Sequence, residues 1–335
     1  MITVASAAEH DRRERVLALA GITSRTWARV PTYSNEVWLG EDIVVRINPS
    51  DHRRLAREAR IAARVPAAAK YPALLASGSD EEIEWTITRR VPGISLGHAW
   101  PRMSVVQRES ATHELAAGLA ALHATPIENI EGDFTRDAKD SRDASDGRDA
   151  KDRHDERDGR DRRDVIAFDI HPPHTLPLVR AIELVDDLRS RGGDRALLDA
   201  AERVMRERWS ALDDADIGLV HGDPHFENFV WDGAHVSALL DLEWSRSSWI
   251  HCDVEILLAI AESPAEFASP DREHEVDPAH YADVPRWLAE AQPAWFADPR
   301  LLERLEALHV SRALGHIDEA FEHPAAWARL RCAVE

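Results

Sequence analysis

The stretch HGDPHFENFVWDG, residues 221–233, decides the fold of this chain. It places two histidines, two aspartates, a glutamate and an asparagine within thirteen positions. So dense a polar run has three explanations: a cluster of metal ligands, a catalytic loop, or a polar turn between two buried strands. Each explanation predicts a different protein, and the rest of the sequence has to distinguish them.

A zinc site needs three or four Cys, His or carboxylate ligands that converge tetrahedrally. The two histidines alternate with Asp223 and Glu227, so a strand would place all four side chains on one face. The glycine and the proline between them interrupt a strand, and neither an HExxH motif nor a second ligand cluster supports zinc. The pattern therefore favours a catalytic loop, with the polar turn as the remaining alternative.

The whole chain has the size and charge of an acidic, two-domain or two-lobed protein. Its 335 residues carry a formal net charge of −20, and this length allows a sizeable core. An acidic surface repels nucleic acid and anionic membranes and suits a cationic partner, although solubility alone also explains it. We therefore expect neither a nucleic-acid partner nor a membrane partner.

The cysteines indicate a reducing compartment. Cys252 and Cys332 permit neither a disulfide framework nor a CxxC metal motif. The N-terminal run MITVASAAEHDRRERVLALAG does not resemble a secretory signal, because its short apolar start leads straight into charged residues. No apolar run approaches the roughly 20 residues of a membrane span. These features predict a cytoplasmic protein.

Residues 136–164 differ from the rest of the chain. Aspartate recurs at every third position from Asp137 to Asp164, and no apolar residue larger than alanine occurs. A period of three drifts around a helix and gives no face to bury. The positive and negative charges nearly cancel, which disfavours a nucleic-acid-binding arm. We interpret this segment as a disordered, solvated insert, with a mixed-charge helix as the alternative.

The part before this insert is predicted to form a small sheet with one inserted helix. Two strands flank a Gly-Glu-Asp turn in residues 36–50, and apolar residues at helical spacing follow in residues 51–65. Further strands are predicted in residues 71–78 and 83–93, the second ending at a Pro-Gly pair. An amphipathic helix is predicted in residues 105–126, where it stops before a proline.

The part after the insert is predicted to be mainly helical. Helical patterns cover residues 178–188 and 195–212, and a short strand at 217–220 leads into the opening stretch. Residues 229–241 form two apolar runs around Asp-Gly, which is a strong hairpin signal. From residue 254 onward the chain is helical with proline breaks.

The spacing inside the opening stretch matches kinase-type phosphoryl transfer. In that chemistry an Asp accepts the hydroxyl proton, and an Asn five residues later holds Mg²⁺. Asp223 and Asn228 stand five apart behind His221. A second metal-holding Asp is required on the next strand, and Asp241 follows at the end of the hairpin. A hairpin brings Asn228 and Asp241 together, and hard oxygen ligands gathered at one point suit Mg²⁺.

With its continuation VSALLDLEWS, the stretch resembles the aminoglycoside phosphotransferase family, a branch of the protein-kinase-like fold. The shared pattern is H-G-D-x-x-x-x-N, two apolar residues, a hairpin and a D-x-[ED] segment, and the lobe layout agrees over most of the chain except the insert. The resemblance implies an α+β fold with a small antiparallel-sheet N-terminal lobe and a larger, mostly helical C-terminal lobe. It also implies an enzyme that uses ATP and Mg²⁺ to phosphorylate a hydroxyl group of a small molecule.

The resemblance also predicts the domain organisation. Residues 1–91 would be the nucleotide-binding lobe, with a hinge at about residues 89–94, and residues 95–335 would be the helical lobe with the catalytic loop. The family includes kinases for choline, homoserine, fructosamines and other small hydroxyl compounds, so the acceptor is either aminoglycoside-like or another metabolite. A cationic acceptor would suit the acid-rich residues 262–277, for which a solvated loop is the alternative.

Carried over residue by residue, the resemblance makes Asp223 the group that orients and deprotonates the acceptor hydroxyl. Asn228 and Asp241 match the Mg²⁺ ligands, and Glu243 would support the metal site through water. The alternative for each of these residues is the capping of a turn or hairpin end. Asp253 would hydrogen-bond the backbone of the catalytic loop while it caps its own helix.

The N-terminal lobe departs from the family pattern at the phosphate-binding lysine. Kinase-like enzymes place a lysine on the third strand and pair it with a glutamate on the following helix. Here these positions hold Arg46 and Glu58. Arginine can bind phosphate bidentately, although its geometry is not that of lysine. Either Arg46 takes over the phosphate-binding role of the lysine, or the lobe binds phosphate weakly.

The phosphate loop and the hinge are the other nucleotide contacts that the resemblance implies. The loop PTYSNEVW has no glycine, but Ser34 and Asn35 match the family pattern and would cap phosphate oxygens, with an ordinary turn as the alternative. The segment TRRVPG resembles the adenine-binding linker. Backbone groups near Arg89 and Val91 would then bind the adenine edge.

Arg46 and the glycine-free loop leave open an alternative of a different class, a nucleotide-binding pseudokinase that acts as a regulatory or interaction module. The intact set of Asp223, Asn228 and Asp241 favours the enzyme. Catalysis needs all three residues, whereas a binding module need not keep them.

Overall fold

The computed structural model describes residues 5–23, 26–30, 32, 35–49, 54–80, 82–126, 175–268 and 272–334. The chain divides into two compact units. The described residues of the first unit come from Met1–Thr125, Asp223–Ser245 and Ile260–Ala291, and those of the second from Pro126–Gly222, Arg246–Ala259 and Gln292–Glu335. The predicted charged insert, 136–164, lies outside the described residues.

The described elements follow the chain in this order. The strands are β1 (Ala28–Val30), β2 (Glu36–Leu39), β3 (Ile43–Asn48), β4 (Leu74–Ser79), β5 (Glu84–Arg89), β6 (Ile94–Ser95), β7 (Ile217–Val220), β8 (Phe229–Trp231), β9 (Val236–Leu239) and β10 (Arg246–Trp249). The α-helices are α1 (Ala7–Ala20), α2 (Arg54–Ala62), α3 (Leu96–Ala99), α4 (Val105–His123), α5 (Leu178–Ser190), α6 (Arg195–Arg208), α7 (His251–Glu262), α8 (Val284–Ala291), α9 (Pro293–Phe296), α10 (Leu301–Glu319) and α11 (Pro324–Val334). None of these helices has the length and hydropathy needed to span a membrane.

The first unit contains a five-stranded antiparallel sheet in the order β1-β2-β3-β5-β4. Strands β2 and β3 flank Gly40, whose amide donates to the carbonyl of Ile43 at 2.8 Å. Helix α2 connects β3 with β4. The predicted small sheet with one inserted helix is confirmed, and β1 is a strand that the sequence patterns did not predict.

Strand β3 sorts its side chains by the two-residue period of a strand. Val45 and Ile47 are fully buried, as suits β-branched residues on a packed sheet face. Arg46 lies between them and therefore points to the opposite face. The register pairs it with Thr86 of β5, so the arginine sits in the middle of the sheet.

Helix α1 covers the apolar face of this sheet. Its Val16 and Leu17 pack in one buried cluster with Trp38 and with the apolar residues of β3 and β5. The helix begins with a capping box, in which Ser6 and Glu9 each accept the other's backbone amide. The sequence patterns did not predict α1, although its Ser-x-x-Glu start is a usable signal.

Strands β6, β8 and β9 form a second antiparallel sheet in the first unit. At the turn between β8 and β9, the carboxylate of Asp232 accepts the amides of Ala234 and His235, both at 2.8 Å. Gly233 adopts a φ of 107°, which favours glycine. The hairpin predicted around Asp-Gly is therefore confirmed.

The second unit is mainly helical. Helices α5, α6, α10 and α11 share a core whose buried residues are Ala181, Val185, Leu188, Leu197, Leu198, Ala201, Met205, Val310, Ala313, Leu314, Ile317, Ala326 and Leu330. Strands β7 and β10 form an antiparallel ladder that pairs Val220 with Arg246. The predicted helices α5 and α6 and the strand β7 are confirmed, whereas β10 was not predicted.

Candidate active site

A buried carboxylate holds the backbone immediately before Asp223. Asp253, in the first turn of α7, is fully buried. Its two oxygens accept the amide protons of His221 and Gly222 at 2.8 and 2.9 Å. Gly222 has a φ of 84°, a conformation that favours glycine. The predicted bond from Asp253 to the loop backbone is present.

Asn228 orients Asp223 within the first unit. The Nδ2 group of Asn228 donates to the backbone oxygen of Asp223 at 2.9 Å and to its Oδ2 at 3.3 Å. The amide of Asn228 donates to the carbonyl of His225 at 2.8 Å, which closes the turn between them. Because Nδ2 faces Asp223, the side-chain oxygen Oδ1 of Asn228 points away from it.

The hairpin brings Asp241 to the same place. The amide of Leu240 donates to the carbonyl of Asn228 at 2.7 Å, and Asp241 follows directly. Asp241 has a φ of 63°, a left-handed conformation that Asp tolerates better than most residues. Asp223, Asn228 and Asp241 line one cavity of about 930 Å³. The structure thus places together the three residues that the sequence analysis singled out, while their roles stay predictions.

Arg46 faces this segment from β3. Its Nη1 donates to the two oxygens of Glu58 at 2.7 and 2.6 Å, and its Nη2 donates to Oδ1 of Asp241 at 2.7 Å. The same Nη2 lies 3.5 Å from Oε2 of Glu243. The predicted pair of Arg46 and Glu58 is present, and its guanidinium also reaches the candidate metal ligand.

Glu58 is fixed from several directions. Its Oε1 also accepts the hydroxyl of Tyr71 at 2.8 Å and the amide of Leu242 at 3.2 Å. Burial raises the pKa of Glu58, and Arg46 opposes that rise. Such a buried carboxylate can hold an arginine in one orientation, because its own hydrogen bonds leave it little freedom.

The cluster around Arg46 has a surplus of carboxylates. Burial, and next the charge of Asp241, raises the pKa of Glu243 to about 7. Burial lowers the pKa of Arg46, but Asp241, Glu58 and Glu243 outweigh it and hold that pKa well above its ordinary value. One guanidinium therefore faces three carboxyl groups. Carboxylate and amide oxygens beside surplus negative charge are a donor set that fits Mg²⁺.

Asn35 joins the phosphate-loop region to this cluster. Its Nδ2 donates to Oε2 of Glu243 at 2.9 Å, and only 6% of the residue is exposed. Ser34 lies outside the described residues. Lys70 does not substitute for the missing lysine, because its Nζ donates to Glu114 at 2.9 Å and to the carbonyl of Val236 at 2.5 Å.

The predicted hinge residues line the same cavity. The amide of Arg89 donates to the carbonyl of Ala73 at 2.9 Å, so it is not available to a base. The amide of Val91 has no backbone acceptor within the described ranges. The two hinge residues therefore differ in whether their amide already has a backbone partner. Apolar side chains line the cavity as well: Val37, Leu39, Val44, Pro72, Val230 and Leu240.

The cavity also contains a hydrogen-bond network that the sequence analysis missed. Glu227 accepts the hydroxyl of Ser95, and Nη1 of Arg272 donates to Oε1 of Glu227 at 3.2 Å. The rings of His225 and Phe267 lie 5.4 Å apart between their centroids. Burial lowers the pKa of His225. No spacing rule links Ser95, Glu227 and Arg272, because their contacts are long-range.

Most described acids of the 262–277 loop are tied up locally or lie off the cavity. Glu275 accepts from Nη2 of Arg272 at 3.3 Å, and Asp277 caps the amide of Ala279 at 3.0 Å. Of the described acids in this loop, Glu266 lines the large cavity. The loop therefore presents much less free negative charge to the cavity than its composition indicates.

An antiparallel sheet that carries a glutamate-held arginine, opposite a hairpin that carries an aspartate–asparagine–aspartate set, defines a phosphotransferase of the protein-kinase-like α+β fold. A family model described as the phosphotransferase enzyme family, APH, matches residues 26–269. The chain belongs to this family, and it is a small-molecule kinase that binds a nucleotide and has a hydroxyl acceptor.

Solved structures agree with this fold. A thermostable mutant of aminoglycoside phosphotransferase APH(4)-Ia, in complex with AMP-PNP and hygromycin B, is 13% identical with a TM-score of 0.61, and the match covers 98% of both chains. APH(2'')-Ib with ADP is 12% identical with a TM-score of 0.60, covering 99% of this chain and 97% of that one. APH(2'')-IIia with GDP and kanamycin is 13% identical with a TM-score of 0.62, covering 97% of both. No curated protein matches the sequence.

Proposed function

We propose that the protein transfers the γ-phosphate of ATP, with Mg²⁺, to a hydroxyl group of a small molecule, with Asp223 as the catalytic base. One observation carries this proposal: Asp223, Asn228, Asp241, Arg46 and Glu58 all line a single cavity. Its volume of about 930 Å³ is in the range that accepts small ligands.

Asp223 would orient the acceptor hydroxyl and take its proton. The carboxylate is half-buried, and Asn228 holds one of its oxygens in a defined direction. In phosphoryl transfer little covalent chemistry is left to the protein, so the position of the nucleophile matters most.

Asn228 and Asp241 would hold Mg²⁺ through Oδ1 of Asn228 and the carboxylate of Asp241. When bound with a nucleotide, the ion supplies positive charge to the phosphate oxygens. Arg46 would bind the α- and β-phosphates while Glu58 keeps its guanidinium in place. Asn35 would stay near the phosphates through Glu243, and we expect Ser34 to act beside it.

The base of the nucleotide would bind at the hinge. The carbonyl of Arg89 and the amide of Val91 offer one acceptor and one donor, which suits the edge of adenine. The apolar side chains on the cavity wall would enclose the flat ring. Since Cys252 and Cys332 are both free thiols, we place the enzyme in the reducing cytoplasm.

The decisive experiment compares wild type with Asp223→Ala. The variant should lose phosphate transfer by about 10³-fold or more while it binds Mg-ATP with nearly unchanged affinity, because it lacks only the group that aligns the hydroxyl. Transfer is measured by coupled ADP release across a panel of hydroxyl acceptors, aminoglycosides included. Binding is measured by calorimetry.

Two outcomes would contradict this proposal. Nucleotide binding without turnover of any acceptor, unchanged by Asp223→Ala, would favour the pseudokinase alternative. Wild-type protein that neither binds nucleotide nor turns over would remove the phosphotransferase assignment of this site altogether.

A further inference from the structure

A small recess opens beside the catalytic loop and shares part of its lining with the large cavity. His225, Glu227 and Phe267 line both the recess and the large cavity, whereas Arg272 and Glu275 line only the recess. An acceptor whose hydroxyl reaches Asp223 therefore has its remaining groups close to these side chains. This proximity rests on the proposed function, in which Asp223 marks the reacting hydroxyl.

Arg272 already takes the place that a cationic group of an acceptor would need. Its guanidinium donates to Glu227 at 3.2 Å, to Glu275 at 3.3 Å and to the carbonyl of Gly97 at 3.1 Å. An ammonium group has donors only, so it would have to displace this guanidinium to reach the same oxygens. Arginine keeps its charge at any accessible pH, so the competition persists.

The backbone of the recess is shaped around the Glu227 carboxylate. A Cβ atom at Gly97 would overlap Oε1 of Glu227. Because Gly97 has no side chain, the Glu227 carboxylate can lie close to α3. There it accepts hydrogen bonds from Ser95 and Arg272. The position of Glu227 is therefore built into the fold.

Arg272 also has a donor without a partner. Its Nε–H is buried and has no hydrogen-bond partner among the residues that the structure describes, which costs free energy and leaves the side chain free to improve its bonding when a ligand arrives. A hydroxyl group can donate to Glu227 and also accept from an arginine N–H, whereas an ammonium can only donate. The rings of Phe267 and His225 add an apolar wall.

We propose that Arg272 is the specificity-determining residue of the acceptor site and selects an uncharged polyhydroxyl compound, such as a neutral sugar or polyol, over a polycationic one. Similar solved structures are complexes with aminoglycosides, namely hygromycin B, gentamicin and kanamycin. The Arg272–Glu227 pair distinguishes this acceptor site from one that recognises positive charge.

Kanamycin serves as the polycationic probe, and its binding is measured by calorimetry on the whole Mg-ATP-analogue-loaded protein. Wild type should bind it weakly. Arg272→Gln should bind it at least about tenfold more tightly, with a steeper dependence on salt, because Glu227 and Glu275 then lose their intramolecular cation. The matched control is Arg286→Gln, which makes the same charge change at a surface arginine that pairs with Asp283 and Glu290. It should change the affinity by less than about twofold.

Neutral monosaccharides, disaccharides and polyols form the second arm, measured by ADP release. At least one should be phosphorylated by wild type, and Arg272→Gln should raise its KM about tenfold or more while the KM for ATP stays unchanged. Arg272→Lys, which keeps the charge but loses Nε and the planar fork, should resemble wild type towards kanamycin and resemble Arg272→Gln towards the neutral acceptor. Thermal unfolding of each variant verifies that it is folded.

Tight binding and turnover of kanamycin by wild type, with no gain in Arg272→Gln, would overturn the inference. So would a panel in which every neutral compound fails while a cationic one is phosphorylated. Either result leaves the phosphotransferase proposal intact, because nucleotide binding and turnover are recorded separately. A protein that binds no Mg-ATP would instead remove the proposed function, on which this inference rests.

Discussion

Two arginines, half-buried Arg46 in the first unit and buried Arg312 in the second, differ in how many carboxyl groups of the described residues they contact. Arg312 donates twice to Glu255, both times at 2.7 Å, and Nδ1 of His309 lies 2.9 Å from the same carboxylate. Among the residues that the structure describes, Glu255 thus faces one guanidinium and one imidazole. Such a pair can be satisfied by its own partners, and it needs no ligand.

Arg46 has three carboxyl partners and is the only guanidinium that bridges them in the described residues: Glu58, Asp241 and Glu243. Like charges crowded into a partly buried site repel each other, and the raised pKa of Glu243 reflects this together with burial. A cation would relieve the repulsion. Charge balance, rather than burial, therefore separates a structural ion pair from one prepared for a ligand.

Asp241→Asn should break the functional cluster with the largest effect. Asparagine keeps the shape and tolerates the left-handed backbone at φ 63°, but it removes the charge proposed to hold Mg²⁺. We expect kcat to fall by about 10⁴-fold or more, since metal-assisted charge stabilisation contributes several kcal/mol. The free energy of unfolding should change by less than about 1 kcal/mol, because the surplus of carboxylates shrinks.

The matched control for this change is Asp232→Asn in the same hairpin. Within the described residues the Asp232 carboxylate accepts the turn amides of Ala234 and His235, and an asparagine oxygen can accept them too. ADP release at saturating ATP and acceptor should be unchanged in this control. If Asp241→Asn retains more than about a tenth of the activity, Asp241 is not the metal ligand.

Arg312→Met should produce the opposite pattern. Removing the guanidinium leaves Glu255, of which only 4% is exposed, with the imidazole of His309 at 2.9 Å in place of an arginine partner. A buried charge that loses its partner costs about 3–5 kcal/mol of stability. Urea unfolding should show that loss, while kcat of the folded fraction stays close to wild type. A loss below about 1 kcal/mol would show that the Arg312–Glu255 pair does not stabilise the fold as expected.

The same pair predicts a dependence of stability on pH. Burial raises the pKa of Glu255, but Arg312 and His309 outweigh it and hold this pKa at about 2, below the ordinary 4.5. The stabilisation is therefore complete above about pH 4.5 and is lost as the pH falls towards 2. It amounts to roughly 3 kcal/mol. The difference in free energy of unfolding between wild type and Glu255→Gln, measured with urea, should decrease as the pH falls over this range. A constant difference would contradict the lowered pKa of Glu255.

The contrast between the two clusters also shows what the sequence could predict. Asp223, Asn228 and Asp241 were predicted as one group, because a five-residue spacing and a hairpin turn are local features. The Arg46–Glu58 pair was predicted from the resemblance to kinase-like enzymes, which pair a basic residue of the third strand with a glutamate of the following helix. The strands and helices with clear periodicity were predicted for the same reason.

Contacts between distant segments could not be predicted in this way. Asn35 and Glu243 are 208 residues apart in the chain, and Arg272 and Glu227 are 45 apart. Polar pairs of this kind leave no periodic pattern. The composition of the acid-rich loop likewise does not reveal that Glu275 is bound by Arg272.

Arg46→Lys should have the smallest effect on activity of these substitutions. Arg46 bonds Glu58 with Nη1 and Asp241 with Nη2, and a lysine ammonium is a compact point charge that cannot span both. Lysine still supplies a cation to the phosphates, so the surplus of carboxylates does not grow. We expect the KM for ATP to rise by about tenfold or less, with kcat within about threefold of wild type.

Arg13→Lys is the control for this last substitution, because Arg13 lies on α1, which covers the opposite face of the sheet, with its guanidinium 4.5 Å from the ring centroid of Trp38. Its KM for ATP should not change. If Arg46→Lys lost as much activity as Asp241→Asn, the cluster would need the planar fork itself and not merely a positive charge. If it bound ATP more tightly than wild type, Arg46 would be held too firmly by its carboxylates to be a good phosphate ligand, and the weak-grip alternative would hold.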